Sequence, residues 1–195
     1  MSTKTTLNTN SCRLAFLKIF MAEHGITQKE VSTMLNKSKC AVSHMISVSD
    51  DVRLSEIEQI LASRKCSIKL SITKDPSEDI DKYELPLTDY MSLNDELIKP
   101  RLSFILVAMK RYGVNREELA RRIGYKSSTV RYWLYGANDT YISNIIKVAK
   151  ALGCHLKIKI VNNTQDNTFG NLVKNPSEDE CMMIIDTDSV KIMKM

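Results

Sequence analysis

The sequence predicts a mainly α-helical fold with a small β component: two tandem helical units, each followed by a β-strand, with the two strands paired in a small antiparallel sheet. Three observations lead there. The chain falls on itself without a gap when shifted by 88 residues. Within each copy, apolar residues recur at helical spacing between capping and stop signals. Each copy then closes on strict apolar–polar alternation, SIKLSIT (67–73) and HLKIKIV (155–161).

The repeat sets the domain plan. RLAFLKIFMAEHGITQKEVSTMLNKSKCAVSHMI (13–46) lies over RLSFILVAMKRYGVNREELARRIGYKSSTVRYWL (101–134), and the register continues to residues 73 and 161. Of the 61 aligned positions 13 are identical, among them Arg13/Arg101, Gly25/Gly113, Glu30/Glu118 and Val42/Val130, and most other apolar positions stay apolar. Random pairing gives only a few identities, so a duplicated unit is the economical explanation. The first unit with its strand takes 11–73 and the second 99–161. Between them, 74–98 is acidic and proline-bearing and reads as a linker, with one short helix near 89–98. The tail, 162–195, is loop-like until CMMIIDTDSVKIMKM, whose two apolar runs around DTDS predict a hairpin at 181–193.

The second copy justifies the helices in order. Residues 100–112 form the first, with Pro100 suited to its first turn and Gly113 to its stop. NREE opens the second, Asn115 capping and Glu118 reaching back; TQKE does the same in the first copy through Thr27 and Glu30. This helix buries Leu119, Ala120 and Ile123 and ends at Gly124, where Asn36 stands in the first copy. In the third helix Val130, Trp133 and Leu134 share the inner face, while Ser128, Arg131, Tyr132 and Tyr135 face out. The first copy places Val42, Met45 and Ile46 inside and Cys40, Ser43, His44 and Ser47 outside. A fourth helix at about 140–152 turns Ile142, Ile145, Ile146, Val148 and Ala149 inward. The alternating stretches that follow read as half-buried strands, Ile68, Leu70 and Ile72 matching Leu156, Ile158 and Ile160. A lone strand leaves its backbone groups unmade, so two equivalent strands are expected to pair.

The net charge of +5 is unevenly laid out: +1 over 1–12, +3 over 13–73, −5 over 74–100, +9 over 101–161 and −3 over 162–195. One block is thus strongly basic, which fits a polyanion partner when joined to a suitable shape. Five cysteines form no C-x-x-C pair, and His24, His44 and His155 lack metal-ligand spacing, so neither a disulfide framework nor a metal or other cofactor is expected. MSTKTTLNTN has no apolar core, and no apolar run reaches about 18 residues, so neither a secretory leader nor a membrane association is expected and a cytoplasmic, nucleoid-associated protein fits. With no phosphate loop or nucleophile elbow, an enzyme is not expected; Cys40 and His44 stand four residues apart without a third group to orient them.

QKEVSTMLN (28–36) with SKCAVSHMI (38–46), and REELARRIG (116–124) with SSTVRYWLYG (127–136), resemble the lambda-repressor/Cro (Xre) type of helix-turn-helix. So does the ending IIKVAKALGC (145–154). The first copy departs from the pattern at Asn36 and Ser32, and a strand stands where that family commonly has a fifth helix. The resemblance implies sequence-specific binding of double-stranded DNA by a transcriptional regulator of bacterial or phage type, its third helix in the major groove and the start of its second helix on a phosphate. The groove-facing residues it implies are Ser38, Lys39, Cys40, Ser43 and His44 in the first copy, and Lys126, Ser127, Ser128, Arg131 and Tyr132 in the second. Gln28 and Arg116 would meet phosphate at the helix starts, with Arg121, Arg122 and Lys110 beside the backbone. A helix about 10–12 Å wide suits a major groove about 12 Å wide. Two units in one chain would act as a pseudo-dimer on an imperfect palindrome. The competing expectation is an antitoxin or protein-interaction adaptor, with a homodimer or protein partner held by the strands, the acidic linker or the Met-rich tail (Met182, Met183, Met193, Met195).

Overall fold

The computed structural model describes residues 5–8, 13–49, 51–75, 102–135, 139–163, 181–185 and 189–194. The helix expected near 89–98, most of the linker and the loop-like part of the tail lie outside them.

Strand β1 (Thr5–Asn8) precedes the first helical set: α1 (Ala15–Glu23), α2 (Gln28–Met34), α3 (Lys39–Ser43), α4 (Leu54–Ala62) and strand β2 (Cys66–Thr73). The second set follows in the same order: α5 (Ser103–Arg111), α6 (Arg116–Ile123), α7 (Ser127–Tyr135), α8 (Ile142–Ala151) and β3 (His155–Asn162). The tail supplies β4 (Cys181–Ile185) and β5 (Ser189–Lys194), which pair as the expected hairpin. Helix α8 starts at 142 because Tyr141 is still extended, at φ −80° and ψ 149°.

The expected inward residues form one core. Val42, Met45 and Ile46 are buried beside Phe16, Val31 and Ile57, and Leu119, Val130 and Leu134 beside Ile105, Ile142 and Ile145. Burying a side chain of this size contributes about 1.5–3 kcal/mol each. Trp133 differs from the expectation of a core residue. It is half-buried and lies along the core's edge, its ring edge-on to Tyr125 at 5.0 Å, an arrangement favoured by the ring quadrupoles.

Strands β2 and β3 pair antiparallel, setting Ile68 opposite Ile160, Leu70 opposite Ile158 and Ile72 opposite Leu156. The expected sheet is larger than two strands, in the order β1-β5-β4-β3-β2. This changes the burial of β3. The alternation predicts one buried face, yet Lys157 and Lys159 are buried as well as Leu156, Ile158 and Ile160. A strand with neighbours on both edges has less access to water than a paired edge strand, and its lysine stems are covered with it.

A second seam joins the two helical sets just before α4 and α8, and its backbone and capping bonds come in mirrored pairs. Leu54 N–H donates to Thr140 O at 2.8 Å, and Ile142 N–H donates to Val52 O at 3.0 Å. Asp51 accepts from Ser143 N–H at 3.1 Å and from its hydroxyl at 2.6 Å. Asp139 accepts from Ser55 N–H at 3.4 Å and from the Ser55 hydroxyl. Each carboxylate therefore caps the first turn of the other set's helix, satisfying a donor that has no intrahelical partner. Arg53 and Tyr141 face each other in an antiparallel bridge, the guanidinium 5.4 Å from the ring centre.

Candidate nucleic-acid interface

In the second set, Asn115 Oδ1 accepts from Glu118 N–H at 2.8 Å and starts α6. Gly124 ends it at φ 74°, a left-handed conformation that costs a Cβ-bearing residue roughly 1–2 kcal/mol. The turn then delivers α7 at an angle. Val130 and Leu134 anchor its inner side in the core. Lys126, Ser128, Arg131 and Tyr132 are left exposed along its outer side, with Tyr132 60% accessible. An exposed aromatic beside cations on a short helix makes a surface able to meet both charge and base edges.

Ser127, also expected on that surface, is half-buried and engaged. Its hydroxyl accepts from Arg116 Nε at 3.0 Å and donates to Glu117 Oε1 at 3.3 Å, while Arg116 pairs with Glu117 at 3.0 Å. The start of α6 is thereby tied to the start of α7. The Glu117 carboxyl is held below its ordinary range by its own backbone N–H and then by Arg116.

Arg121 and Arg122 converge on one carboxylate, each 2.7 Å from Glu118 Oε1. Their hydrogen bonds lower the Glu118 pKa to about 2. Arg122 also donates to Ala151 O at 3.0 Å, fastening α6 to the end of α8. These arginines are exposed at the surface but already paired, so a phosphate would compete with Glu118 for them. Lys110 is exposed on α5.

The first set places its expected residues differently. Thr27 and Glu30 close the full capping box: Thr27 N–H donates to Glu30 Oε2 at 2.7 Å, and Glu30 N–H to the Thr27 hydroxyl at 3.2 Å. The Glu30 carboxyl is lowered first by the Thr27 backbone N–H and then by the Thr27 hydroxyl, which donates to Oε2 at 3.0 Å, with Arg64 adding less. Gln28, at the start of α2, is half-buried. Ser32, where the family pattern has alanine, donates to Lys37 O at 2.6 Å and bridges the turn around Asn36 at φ 50°. The Ser38 hydroxyl caps α3 by accepting from Ala41 N–H at 3.1 Å. Lys39, Cys40 and His44 are exposed and Ser43 is half-buried. Beyond Ser43 the helix widens into a π-type turn (His44–Val48), in which Ser49 N–H donates to His44 O at 2.9 Å, five residues back.

Sequence reasoning missed three features of these surfaces: the Ser127–Arg116–Glu117 tie, the π-type turn and the mirrored seam. The seam had a signal, since Asp51/Asp139 and Ser55/Ser143 are among the identical positions of the repeat. An aspartate and a serine four residues apart at the same place in both copies mark a segment with a shared role.

A family model described as helix-turn-helix matches residues 107–158, from within α5 to within β3. That stretch is similar to helix-turn-helix units of the Xre, lambda-repressor-like kind, a likeness that points towards DNA binding. No curated protein matches the chain, and no solved structure does.

Proposed function

We propose, from the premise that residues 107–158 are a DNA-binding helix-turn-helix, that the chain is a sequence-specific regulator of transcription with a second, diverged unit of the same kind at 13–73. The two units act as an intrachain pseudo-dimer on double-stranded DNA. One observation carries the binding surface. Helix α7 buries Val130 and Leu134 and presents Lys126, Ser128, Arg131 and Tyr132 to solvent. Arg131 reads a guanine by a two-pronged hydrogen bond, Lys126 lies in the groove beside it, and Arg116 contacts phosphate.

The pseudo-dimer draws support from the mirrored contacts at 51–55 and 139–143 and from the β2–β3 register. Paired half-sites of this motif lie about 34 Å apart, one turn of DNA. Because Lys126, Ser128, Arg131 and Tyr132 correspond to Ser38, Cys40, Ser43 and His44, the two half-sites differ in sequence, and the operator is an imperfect palindrome. The second unit supplies more of the salt-dependent affinity.

Selection of bound duplexes from a random pool at low ionic strength, using the full chain, tests the reading. Enrichment of one site with two unlike halves supports it. A pool that stays random at every salt concentration sinks sequence-specific recognition.

A further inference from the structure

The repeat offset of 88 residues gives the seam between the units an unusual property. Asp51 corresponds to Asp139, and Ser55 to Ser143. The bond pair Asp51–Ser143 therefore maps onto Asp139–Ser55 when the two copies are exchanged. Leu54 N–H to Thr140 O maps onto Ile142 N–H to Val52 O in the same way. Two further pairs map onto themselves: Arg53 opposite Tyr141, and Leu70 opposite Ile158. A pair of equivalent residues facing each other lies on a two-fold axis, and two such pairs fix its line. The axis runs from the α4/α8 starts through the middle of the β2–β3 ladder.

Along that axis the ladder and the caps do different work. The ladder joins the strands that close each unit and lies after α4 and α8 in the chain. The caps lie between the third and fourth helices, on the segments leaving α3 and α7. Asp51 lies three residues beyond the π-type turn, its N–H reaching back to Met45 O at 3.4 Å, and Met45, within that turn, is buried in the core. Asp51 thus grips the opposite unit from a segment tied to the π-type turn that ends its own third helix, and Asp139 holds the equivalent place in the repeat.

We infer that Asp51 and Asp139, through Ser143 and Ser55, are positioning residues that hold α3 and α7 at a fixed separation and angle. The consequence for DNA rests on the reading proposed above: the caps set which half-site spacing the protein accepts. No base or phosphate contact is assigned to either residue.

The test uses the full chain and needs no DNA for its first arm. Cys40 is exposed on α3 and its equivalent, Ser128, is exposed on α7. Spin labels on Cys40 and on Ser128→Cys, with Cys12 and Cys181 changed to serine, report the separation of the two helices by pulsed dipolar spectroscopy. The parent is expected to give one narrow distance peak. Asp51→Ala with Asp139→Ala is expected to broaden it severalfold while helix content by circular dichroism stays unchanged. The milder pair Ser55→Ala and Ser143→Ala should broaden it less, since the backbone N–H donors remain. A peak equally narrow in all three proteins overturns the inference, for the ladder alone would then set the geometry.

The second arm measures binding to duplexes whose half-sites are moved by one or two base pairs from the selected spacing of about 10. The parent is expected to lose at least tenfold, and the double aspartate variant less than threefold relative to its own best site. Equal losses overturn the spacing role. Broadened distances in a chain that ignores DNA would uphold the positioning role and sink the DNA reading instead.

Discussion

The first and second helical units share a frame and diverge on its surface. Val31 and Leu119 occupy equivalent places with no accessible surface, as do Ile57 and Ile145 within one per cent. Around them the polar solutions differ. Lys37 and Glu56 form an ion pair at 2.6 Å, while their equivalents, Tyr125 and Asn144, form a neutral hydrogen bond at 3.2 Å. The first unit widens the end of its third helix; the second keeps a regular α7. Burial pins the inner residues, because a core lacks room for a change of volume. Outside, any residue that keeps its donors and acceptors satisfied serves, and there the unit at 101–161 has accumulated most of the positive charge.

The largest effects should be the ones the two units share. Leu119→Ala removes a fully buried side chain and is expected to destabilise by about 3–4 kcal/mol, and Val31→Ala by about 2, fewer methyl groups being lost. Urea unfolding checks both. A loss below 1 kcal/mol for either would mean that its unit's core is loosely packed, and the comparison of like frames would fail.

Next comes the difference that matters for binding. Arg131→Ala is expected to weaken binding to the selected duplex about tenfold or more, on the order of 1–3 kcal/mol for a two-pronged contact with guanine. Its equivalent, Ser43→Ala, is expected to stay within about threefold, because Ser43 is half-buried and carries no charge. Titration at fixed salt decides this. Equal losses would make the two outer faces functionally alike.

Much of this was legible in the chain, and the parts that were not have more than one cause. Helix ends were readable because Thr27, Asn115, Gly113 and Gly124 act within a few residues of themselves. The pairing of β2 with β3 was readable because a lone strand leaves its backbone groups unmade, but which residues face each other was not. Among what escaped were contacts between residues far apart in sequence. Ser55 and Asp139 are 84 residues apart and Ser143 and Asp51 are 92, so no local window contains both partners. The burial of Lys157 depended on β3 gaining β4 as a second neighbour, from a segment that by itself predicted only a hairpin. The outward helices were legible as amphipathic segments; that Ser127 and Ser38 are occupied within the protein was not, since serine reads equally well as a cap or a contact.

A smaller effect separates the turns. Lys65 is left-handed at φ 56°, where the second unit has Gly153 at φ 65°. Lys65→Gly relieves a cost of roughly 1–2 kcal/mol for a side chain in that conformation and adds back about 0.5–1 kcal/mol of unfolded-chain entropy. A net gain of about 0.5–1 kcal/mol is expected, raising the melting temperature by about 2 °C. Asn36→Gly should gain less, since asparagine tolerates that region well. A fall in melting temperature for Lys65→Gly would show that the lysine side chain contributes contacts worth more than the strain.

The smallest effects lie in the two glutamates at the starts of α2 and α6, and they differ in cause. Glu118 is lowered to about 2 from an ordinary 4.5, first by Arg121 and then by Arg122. A depressed native pKa means that the group favours the folded state above about 4.5, and that this contribution fades as pH falls from there towards about 2. Glu30 is lowered too, but first by the Thr27 backbone N–H and hydroxyl, with Arg64 secondary. Carboxyl-carbon NMR titrations of the full chain should therefore respond differently to arginine removal. Arg121→Ala with Arg122→Ala is expected to return the Glu118 midpoint most of the way to 4.5, whereas Arg64→Ala should leave Glu30 nearly where it was. Added salt should act in the same sense on Glu118, because ion pairs at an exposed surface are screened while a hydrogen bond within the capping box is screened far less. If both midpoints moved alike, the two helix starts would be governed by the same electrostatics, and the second unit's arginines would be no more committed to their own glutamate, and no less available to a phosphate, than the first unit's single Arg64.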